Sequence, residues 1–159
     1  MGRHGGADEA VRTARENGIT PPSALQPWYN LVERERFEGK LRDVALKHGL
    51  GVFPFYGLAN GFLTGKYRSK EDLDKSVRGL RNVEYLEGKG MRVLSALDEV
   101  AAETGAALAT VALAWTKAQP AITAPIASAT SIAQLAELVA AIELELTADQ
   151  IGRLDAASA

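Results

Sequence analysis

Apolar residues recur along the chain with a helical period, and short apolar runs separate the helical stretches. Helical spacing covers residues 8–17, 33–48, 90–103 and 108–118, and a further stretch that begins at Ser131. In residues 33–48 the apolar positions Phe37, Leu41, Val44 and Ala45 share one face, as expected for an amphipathic helix. Gly18, Gly49 and Gly105 stand where helix ends are expected.

The start of a helix is marked most clearly at Ser131. Ser131 and Gln134 have the spacing of a capping box, and an apolar face follows with helical periodicity at Leu135, Leu138, Val139 and Ile142. Thr147 and Gln150 repeat the capping-box spacing before a short last helix. The sequence therefore predicts two capped helices at the C-terminal end.

Three short segments, residues 24–26, 51–55 and 122–127, are predicted to be strands. Strands that alternate with helices form parallel βαβ units, with helices packed on the sheet. Such units close either as a doubly wound sheet or as an eight-stranded barrel. Because a complete barrel needs about 250 residues, this chain would supply only part of one.

Residues 57–89 have no sustained periodicity and contain five glycines among many charged residues. Long irregular connections are rare in compact domains and usually serve as lids or binding loops, or are disordered. We expect a long loop here that covers a ligand or is disordered.

Composition narrows the classes of partner. The 159 residues carry a net charge of -2 with both signs interspersed, so neither nucleic acid nor a membrane is expected as a partner. The chain has no cysteine and two distant histidines, which argues against disulfides and a metal site. The polar start and the lack of long apolar runs predict a cytoplasmic protein, with a flexible N-terminus at residues 1–7 and one domain at residues 8–159.

Small polar residues precede the helix that begins after Ser131. The free N–H groups of a helix N-terminus bind phosphate, and the hydroxyls of Ser128, Thr130 and Ser131 could add hydrogen bonds. No lysine or arginine lies in this loop. From the local pattern alone an ordinary capped junction is the preferred interpretation.

Two other strand ends carry candidate binding residues. Phe55 and Tyr56 end the second strand, where an aromatic ring could stack on a planar ligand or could close the core. Gln26 ends the first strand, where its carboxamide could bond to a ligand amide, to solvent or to backbone.

No side chain is a convincing proton donor. Tyr29, Tyr67 and Tyr85 have no visible basic partner, and His48 lies in the last turn of a helix, where a capping role is expected.

Taken together, several segments resemble the C-terminal half of aldo-keto reductases, over roughly residues 8–159. The resemblance rests on Leu25-Gln26-Pro27-Trp28-Tyr29-Asn30-Leu31-Val32-Glu33-Arg34, on Gly51-Val52-Phe53-Pro54-Phe55-Tyr56-Gly57-Leu58-Ala59-Asn60-Gly61-Phe62-Leu63-Thr64-Gly65-Lys66-Tyr67, on Val111-Ala112-Leu113-Ala114-Trp115, and on Pro125-Ile126-Ala127-Ser128-Ala129-Thr130-Ser131 with Gln134 and Glu137. It implies an α/β fold that is a partial (β/α)8 TIM-type barrel, with roughly strands six to eight and their helices. It also implies NADP(H) as the cofactor for reduction of carbonyls.

The resemblance also assigns roles to residues. Gln26 would bond the nicotinamide carboxamide and Phe55 would stack on its ring. Tyr56, Gly57 and Leu58 would follow the pyrophosphate, where the family commonly has Ser-Pro-Leu. Around the adenosine half, the 2′-phosphate would lie at Ser128, Ala129 and Thr130, and the ribose and base near Gln134 and Glu137.

The family's catalytic Asp, Tyr, Lys and His come from the first half of the barrel, and no segment here matches them. We therefore assign no catalytic residue and expect an enzyme fragment that is inactive alone. The alternative is a non-catalytic nucleotide-binding or assembly module. Exposed strand edges would favour self-association or pairing with a missing N-terminal half.

Overall fold

The computed structural model describes residues 5–159. In chain order its α-helices and strands are α1 (Gly5–Glu16), β1 (Ala24–Leu25), α2 (Lys40–His48), β2 (Gly51–Val52), α3 (Lys89–Thr104), α4 (Leu108–Ala118), α5 (Ile132–Glu143) and α6 (Ala148–Ser158). Of the N-terminus predicted to be flexible at residues 1–7, residues 1–4 lie outside the described part of the chain, and residues 5–7 belong to α1.

The two strands are parallel, with Ala24 opposite Gly51 and Leu25 opposite Val52. An isolated bridge between Trp28 and Phe55 continues the pairing beyond them. The chain between and after these strands is helical, so the architecture is α/β as predicted.

Residues 122–127 lie beside β2 but are not a regular strand, unlike the prediction. Thr123 N–H donates to the Val52 carbonyl at 2.8 Å and Ile126 N–H donates to the Pro54 carbonyl at 2.8 Å, so the segment runs parallel to β2. The Val52 N–H donates to the Thr123 hydroxyl, and Pro54, whose carbonyl accepts from Ile126, has no N–H to donate in return. A continuous ladder cannot form, although the extended segment keeps the predicted place.

The predicted helix over residues 33–48 is broken. A 3₁₀ turn at Arg34–Arg36 comes first, and α2 begins only at Lys40. Between them Gly39 has a φ of 79°, a conformation that glycine adopts readily and that ends helical geometry. Phe37 and Ala45, on the predicted apolar face, are nevertheless buried.

Residues 57–89 are more ordered than the irregular loop that the sequence predicts. They form 3₁₀ helices at Lys70–Lys75 and Gly79–Tyr85, and 3₁₀ turns within Ala59–Thr64 that are interrupted at Asn60 and Gly61, where φ is positive. Their apolar side chains are buried in the main core at Phe62, Leu63, Tyr67, Leu73 and Tyr85. Short 3₁₀ pieces interrupted by glycines do not produce the 3.6-residue period by which a helix is recognised.

The C-terminal helices match their predictions closely. Helix α4 has the predicted bounds, and every residue from Ala109 to Thr116 is buried. It packs against α3 and α5, and α6 packs on α3. Both capping interactions at Thr147 are present, which confirms that capping box. Helix α5 begins after Ser131 as predicted, but Leu135, Val139 and Ile142 of its predicted apolar face are exposed.

Candidate functional site

An aromatic cluster lies at the ends of the two strands. The Trp28 ring stacks on the Tyr56 ring with centroids 4.0 Å apart. Phe55 meets both rings edge-on, with centroids 5.8 Å from Trp28 and 5.5 Å from Tyr56. Phe55 is only partly buried, so part of its ring stays open to a ligand.

The cluster is extended by two arginines. The Arg36 guanidinium lies 4.3 Å from the centroid of the Trp28 ring, and Arg81 Nη1 lies 3.5 Å from the Tyr56 hydroxyl. The buried indole Nε1 of Trp28 has no hydrogen-bond partner among the described residues. Trp28 belongs to a motif of the resemblance, but the sequence predicts no site role for it or for these cations, because the contacts join segments far apart in the chain.

Asn30 fixes the backbone next to this cluster. Its amide Nδ2 donates to the Tyr56 carbonyl at 2.9 Å, and its Oδ1 accepts from the N–H groups of Val32 and Glu33. Tyr56 has a φ of 67°, which is costly for a residue other than glycine. Asn30 is fully buried and compensates for this conformation from 26 residues away, which no local sequence pattern could indicate.

Gln26 follows β1 directly and is exposed. It lies between the paired residue Leu25 and the bridged residue Trp28, on the chain segment next to that of Phe55. Gln26 therefore lies at the same end of the two-stranded sheet as Phe55.

The Cβ position of Gly57 and the side chain of Leu58 face the protein interior. Gly57 is buried, and a Cβ atom there would lie 3.0 Å from Leu113 Cδ2 and 3.9 Å from the Ile126 carbonyl. Leu58 is partly buried and packs on the core. The close approach of Gly57 to Ile126 brings the segment after β2 next to the segment that leads to Ser128.

The start of α5 differs in detail from the predicted capping box. Ser131 Oγ accepts from the Gln134 N–H as predicted, but Gln134 Oε1 accepts from the Thr130 N–H and hydroxyl, at 2.9 and 3.0 Å. Ser128 and Thr130 are exposed and Ala129 is partly buried. The first N–H groups of a helix have no partner within it, so those of Ile132 and Ala133 are available to an anion.

Glu137 lies further along α5. Its side chain is exposed, and its backbone carbonyl accepts from the Thr110 hydroxyl at 2.8 Å. The strand ends therefore bring Gln26, Phe55 and Tyr56 into one region, beside the segment that leads to Ser128. Gly57 and Leu58 belong to its packed base, and Glu137 lies more than one helical turn from the start of α5.

The family model of the aldo/keto reductase family matches residues 7–159. The chain belongs to the aldo/keto reductase family. Members of this family generally use NADP(H). This match confirms the resemblance to aldo-keto reductases that the sequence motifs indicate.

Relatives of this aldo/keto reductase chain include enzymes and channel subunits. A rice protein (Oryza sativa subsp. japonica) named as a probable voltage-gated potassium channel subunit beta is 30% identical over 155 residues, which cover 93% of the chain and 47% of that protein. The corresponding Arabidopsis thaliana protein is 30% identical, with coverage of 86% and 43%. L-glyceraldehyde 3-phosphate reductase of Escherichia coli O157:H7 is 31% identical, with coverage of 82% and 40%. The chain thus spans less than half the length of these relatives.

Two tyrosines of the chain are held in a state unsuited to acid catalysis. Burial and a hydrogen bond of 2.7 Å to Glu38 raise the pKa of Tyr29 above its usual range. Burial and a hydrogen bond of 2.8 Å to Glu33 do the same to the pKa of Tyr85. A general acid needs a pKa near the working pH, so neither phenol is poised to donate a proton.

An open cleft of about 380 Å³ is lined by none of the predicted site residues, although Arg36, which stacks on Trp28, forms part of its wall. It contains four carboxylates, Glu33, Glu35, Glu84 and Glu87, and two basic side chains, Arg36 and Lys89. A surplus of negative charge repels phosphate groups, so this cleft is unsuited to a nucleotide.

Two further features are absent from residues 5–159. No group of three or more His, Cys, Asp or Glu side chains there could hold a metal ion. Within the same range, no helix combines the length and apolar character that crossing a membrane demands.

Proposed function

We propose that this chain forms the cofactor-binding part of an NADP(H)-dependent aldo/keto reductase, corresponding to strands six, seven and eight of a (β/α)8 barrel. One observation supports this proposal most strongly. Three parallel segments lie side by side, at residues 24–26, 51–55 and 122–127, and the candidate residues follow their C-terminal ends. Ligands of parallel α/β folds bind at that end of the strands.

The residues present fit the two ends of a nicotinamide dinucleotide. The exposed carboxamide of Gln26 can pair with the nicotinamide carboxamide, and the open part of the Phe55 ring can stack on the nicotinamide. Hydroxyls of Ser128 and Thr130 and the free N–H groups at the start of α5 can hold the 2′-phosphate. When bound, the cofactor supplies a hydride to a carbonyl carbon.

Backbone groups would form the part of the site that holds the pyrophosphate. Tyr56, Gly57 and Leu58 would lie along the pyrophosphate, where the missing side chain of Gly57 leaves room for Leu113 beneath and the Asn30 hydrogen bond fixes the turn. Ala129 lies in the phosphate loop, and Gln134 and Glu137 would face the ribose and adenine. Gln134 Oε1 already accepts from the Thr130 N–H and hydroxyl, so in this structure the carboxamide oxygen stabilises the loop before α5.

The phosphate end of the site lacks formal positive charge. No lysine or arginine occurs between Lys117 and Arg153. Hydroxyl and backbone N–H donors bring neither the positive charge of a lysine nor the bidentate fork of an arginine to a phosphate. We therefore expect weak binding and only a small preference for NADPH over NADH.

Reduction of a carbonyl also needs a proton donor, for which we assign no residue in this chain. We infer that residues from outside it supply the catalytic groups, and that the purified chain does not turn over aldehydes with NADPH. A steady-state assay with a panel of aldehydes checks this, and clear turnover would overturn the inference.

Fluorescence of NADPH provides the binding test. The wild-type chain should change NADPH emission saturably in the millimolar range or below, and Phe55→Ala should weaken binding. Glu87→Ala, on the acidic cleft, is the control and should leave binding unchanged. Absence of saturation, or equal effects of both variants, would count against the proposed site.

A second candidate is a non-catalytic nucleotide-binding or assembly module that pairs with another chain. Two observations favour it: relatives include proteins named as channel subunits, and helix α5 exposes an apolar face. In this case NADPH would bind without turnover, and the chain would associate with a partner or with itself.

A further inference from the structure

Trp28 has no part in the cofactor contacts proposed above, yet it contacts both other rings of the aromatic cluster. Its ring stacks on Tyr56 with planes 21° apart, and the Arg36 guanidinium packs on it at 4.3 Å. Its backbone is bridged to that of Phe55, and the two rings have centroids 5.8 Å apart. Trp28 therefore joins the segment that follows β1 to the strand end that carries Phe55.

These contacts set the plane of the Phe55 ring. Phe55 lies edge-on to Trp28, with planes 69° apart, and to Tyr56, with planes 87° apart. Its backbone is bonded to the same segment, because its N–H donates to the Pro27 carbonyl and its carbonyl accepts from the Tyr29 N–H. With the backbone held in this way, the ring can turn only about its side-chain bonds. Edge-on contacts with an indole and a phenol favour one of the possible orientations.

Two features that cost stability occur within this cluster. Tyr56 has a left-handed backbone, and the buried Nε1 of Trp28 lacks a hydrogen-bond partner in the part of the chain that the structure describes. Costs of this kind persist where the surroundings enforce them, and they concentrate at functional sites. Here Asn30 holds the Tyr56 carbonyl, and Arg36 on the indole is itself bonded to Glu33 at 2.8 Å.

We propose that Trp28 is a positioning residue for the nicotinamide. It fixes the plane of the Phe55 ring, and the nicotinamide that stacks on the open part of this ring takes its orientation from that plane. Trp28 acts through Phe55 and does not itself contact the reacting atoms. The inference rests on the proposed function, because it concerns the nicotinamide end of the same site. Changes at Trp28 should therefore affect the nicotinamide half of the cofactor and spare the adenosine half.

Binding of NADPH and of its fragment adenosine 2′,5′-bisphosphate separates these two halves. Trp28→Leu removes the ring, so the dissociation constant of NADPH should rise about tenfold, while that of the bisphosphate should stay within about twofold of the wild-type value. Trp28→Phe restores a ring that can pack on Phe55, and it should recover most of the NADPH affinity. NMR titration of each variant measures both constants.

Arg36→Gln tests the same role without removing a ring. The Arg36 side chain is 55% exposed, so the variant should keep the wild-type circular dichroism. Loss of the cation from the Trp28 ring should weaken NADPH binding about threefold and leave bisphosphate binding unchanged. A purely electrostatic effect on phosphate would weaken both ligands. If Trp28→Leu does not fold, unchanged NADPH binding by Arg36→Gln overturns the role.

Trp115→Phe, at the other tryptophan of the chain, is the matched control. Trp115 is buried, its ring packs near Tyr29, and its Nε1 donates to Asp155 at 3.1 Å. Loss of this bond should lower the stability of the chain to urea and leave both dissociation constants unchanged.

The outcomes distinguish the positioning role from the proposed function. If the wild type binds neither NADPH nor the bisphosphate, the proposed function is wrong and so is the role of Trp28. If the wild type binds NADPH, equal affinity in Trp28→Leu, or equal losses for the two ligands, overturns the positioning role alone. A loss of NADPH affinity in Trp115→Phe as large as that in Trp28→Leu would show an effect of stability and would also exclude the role.

Discussion

The amide nitrogen of Asn30 donates to the carbonyl oxygen of Tyr56 at 2.9 Å and holds that residue in its left-handed conformation. Asn30→Ala removes this bond and leaves the Val32 and Glu33 N–H groups without their acceptor. Loss of buried partners of this kind costs about 2–3 kcal/mol. Urea denaturation should show this loss of stability.

Asn30→Asp separates the two roles of the side chain. It keeps an oxygen that accepts from Val32 and Glu33 but faces the Tyr56 carbonyl with a second oxygen. We expect weaker NADPH binding together with lower stability. Unchanged binding in this variant would show that the Tyr56 conformation is irrelevant to the site.

Arg34 connects the segment after β1 to the last helix. Its Nη1 lies 3.0 Å from Asp155 Oδ1 and donates to the Ser158 hydroxyl at 2.7 Å, and Trp115 Nε1 donates to Asp155 at 3.1 Å. Asp155→Ala should lower the free energy of unfolding by about 1–3 kcal/mol, because two partly buried donors lose their acceptor.

Asp149→Ala is the control on the same helix. Asp149 pairs with Arg153 but its side chain is 81% exposed, and such surface pairs contribute about 0–1 kcal/mol. Equal effects of the two substitutions would show that the network around Arg34 does not anchor α6. Denaturant titration of both variants measures the difference.

Two glycines should respond to alanine in opposite directions. A Cβ on Gly79 would lie 1.7 Å from the Leu73 carbonyl oxygen, so Gly79→Ala must displace backbone and should destabilise by about 1–3 kcal/mol. Gly152 lies within α6 with no atom near its added Cβ, so Gly152→Ala should stabilise by about 0.5–1 kcal/mol. Thermal melts measure both changes, and a stabilising Gly79→Ala would contradict the packing of the 3₁₀ helices.

The Asp8 carboxylate gives stability a defined pH dependence. Hydrogen bonds from Lys47 and then His48 lower its pKa from 3.8 to about 2 in the folded chain. A lowered pKa means that the stabilisation is present above the unfolded value and is lost as the pH falls from about 4 to about 2. Melting temperatures of the wild type and Asp8→Asn should therefore differ at pH 6 and converge near pH 2. A constant difference across this range would exclude the assigned cause.

The sequence predicted most of the helices because their apolar period is strong. Helix α4 is apolar on nearly every side, and its predicted first and last residues are those of the structure. Residues 33–48 were predicted as one helix because the Phe37 to Ala45 period continues across Gly39, whose φ of 79° is a backbone property that periodicity does not report. The strand predicted at residues 122–127 keeps its position beside β2 but forms no regular ladder, because the Val52 N–H bonds to the Thr123 hydroxyl and Pro54 has no N–H.

The candidate site was predictable only where a local motif carries it. Ser131 and Gln134 mark the start of α5 through their spacing, and Phe55 follows a short apolar run. Asn30, Trp28 and Arg36 act through contacts between segments, so their contributions follow from the fold alone. The apolar period of α5 was recognised, but which side of it packs on α4 depends on tertiary geometry.

The position of the nucleotide can be measured directly by NMR. Backbone amide shifts of the 16.9 kDa chain should be followed while NADPH is added. We predict that the largest saturable changes fall on the amides of Gln26, of residues 55–58 and of residues 128–134. No saturable change, or changes centred on the acidic cleft at residues 84–90, would contradict nucleotide binding at the strand ends.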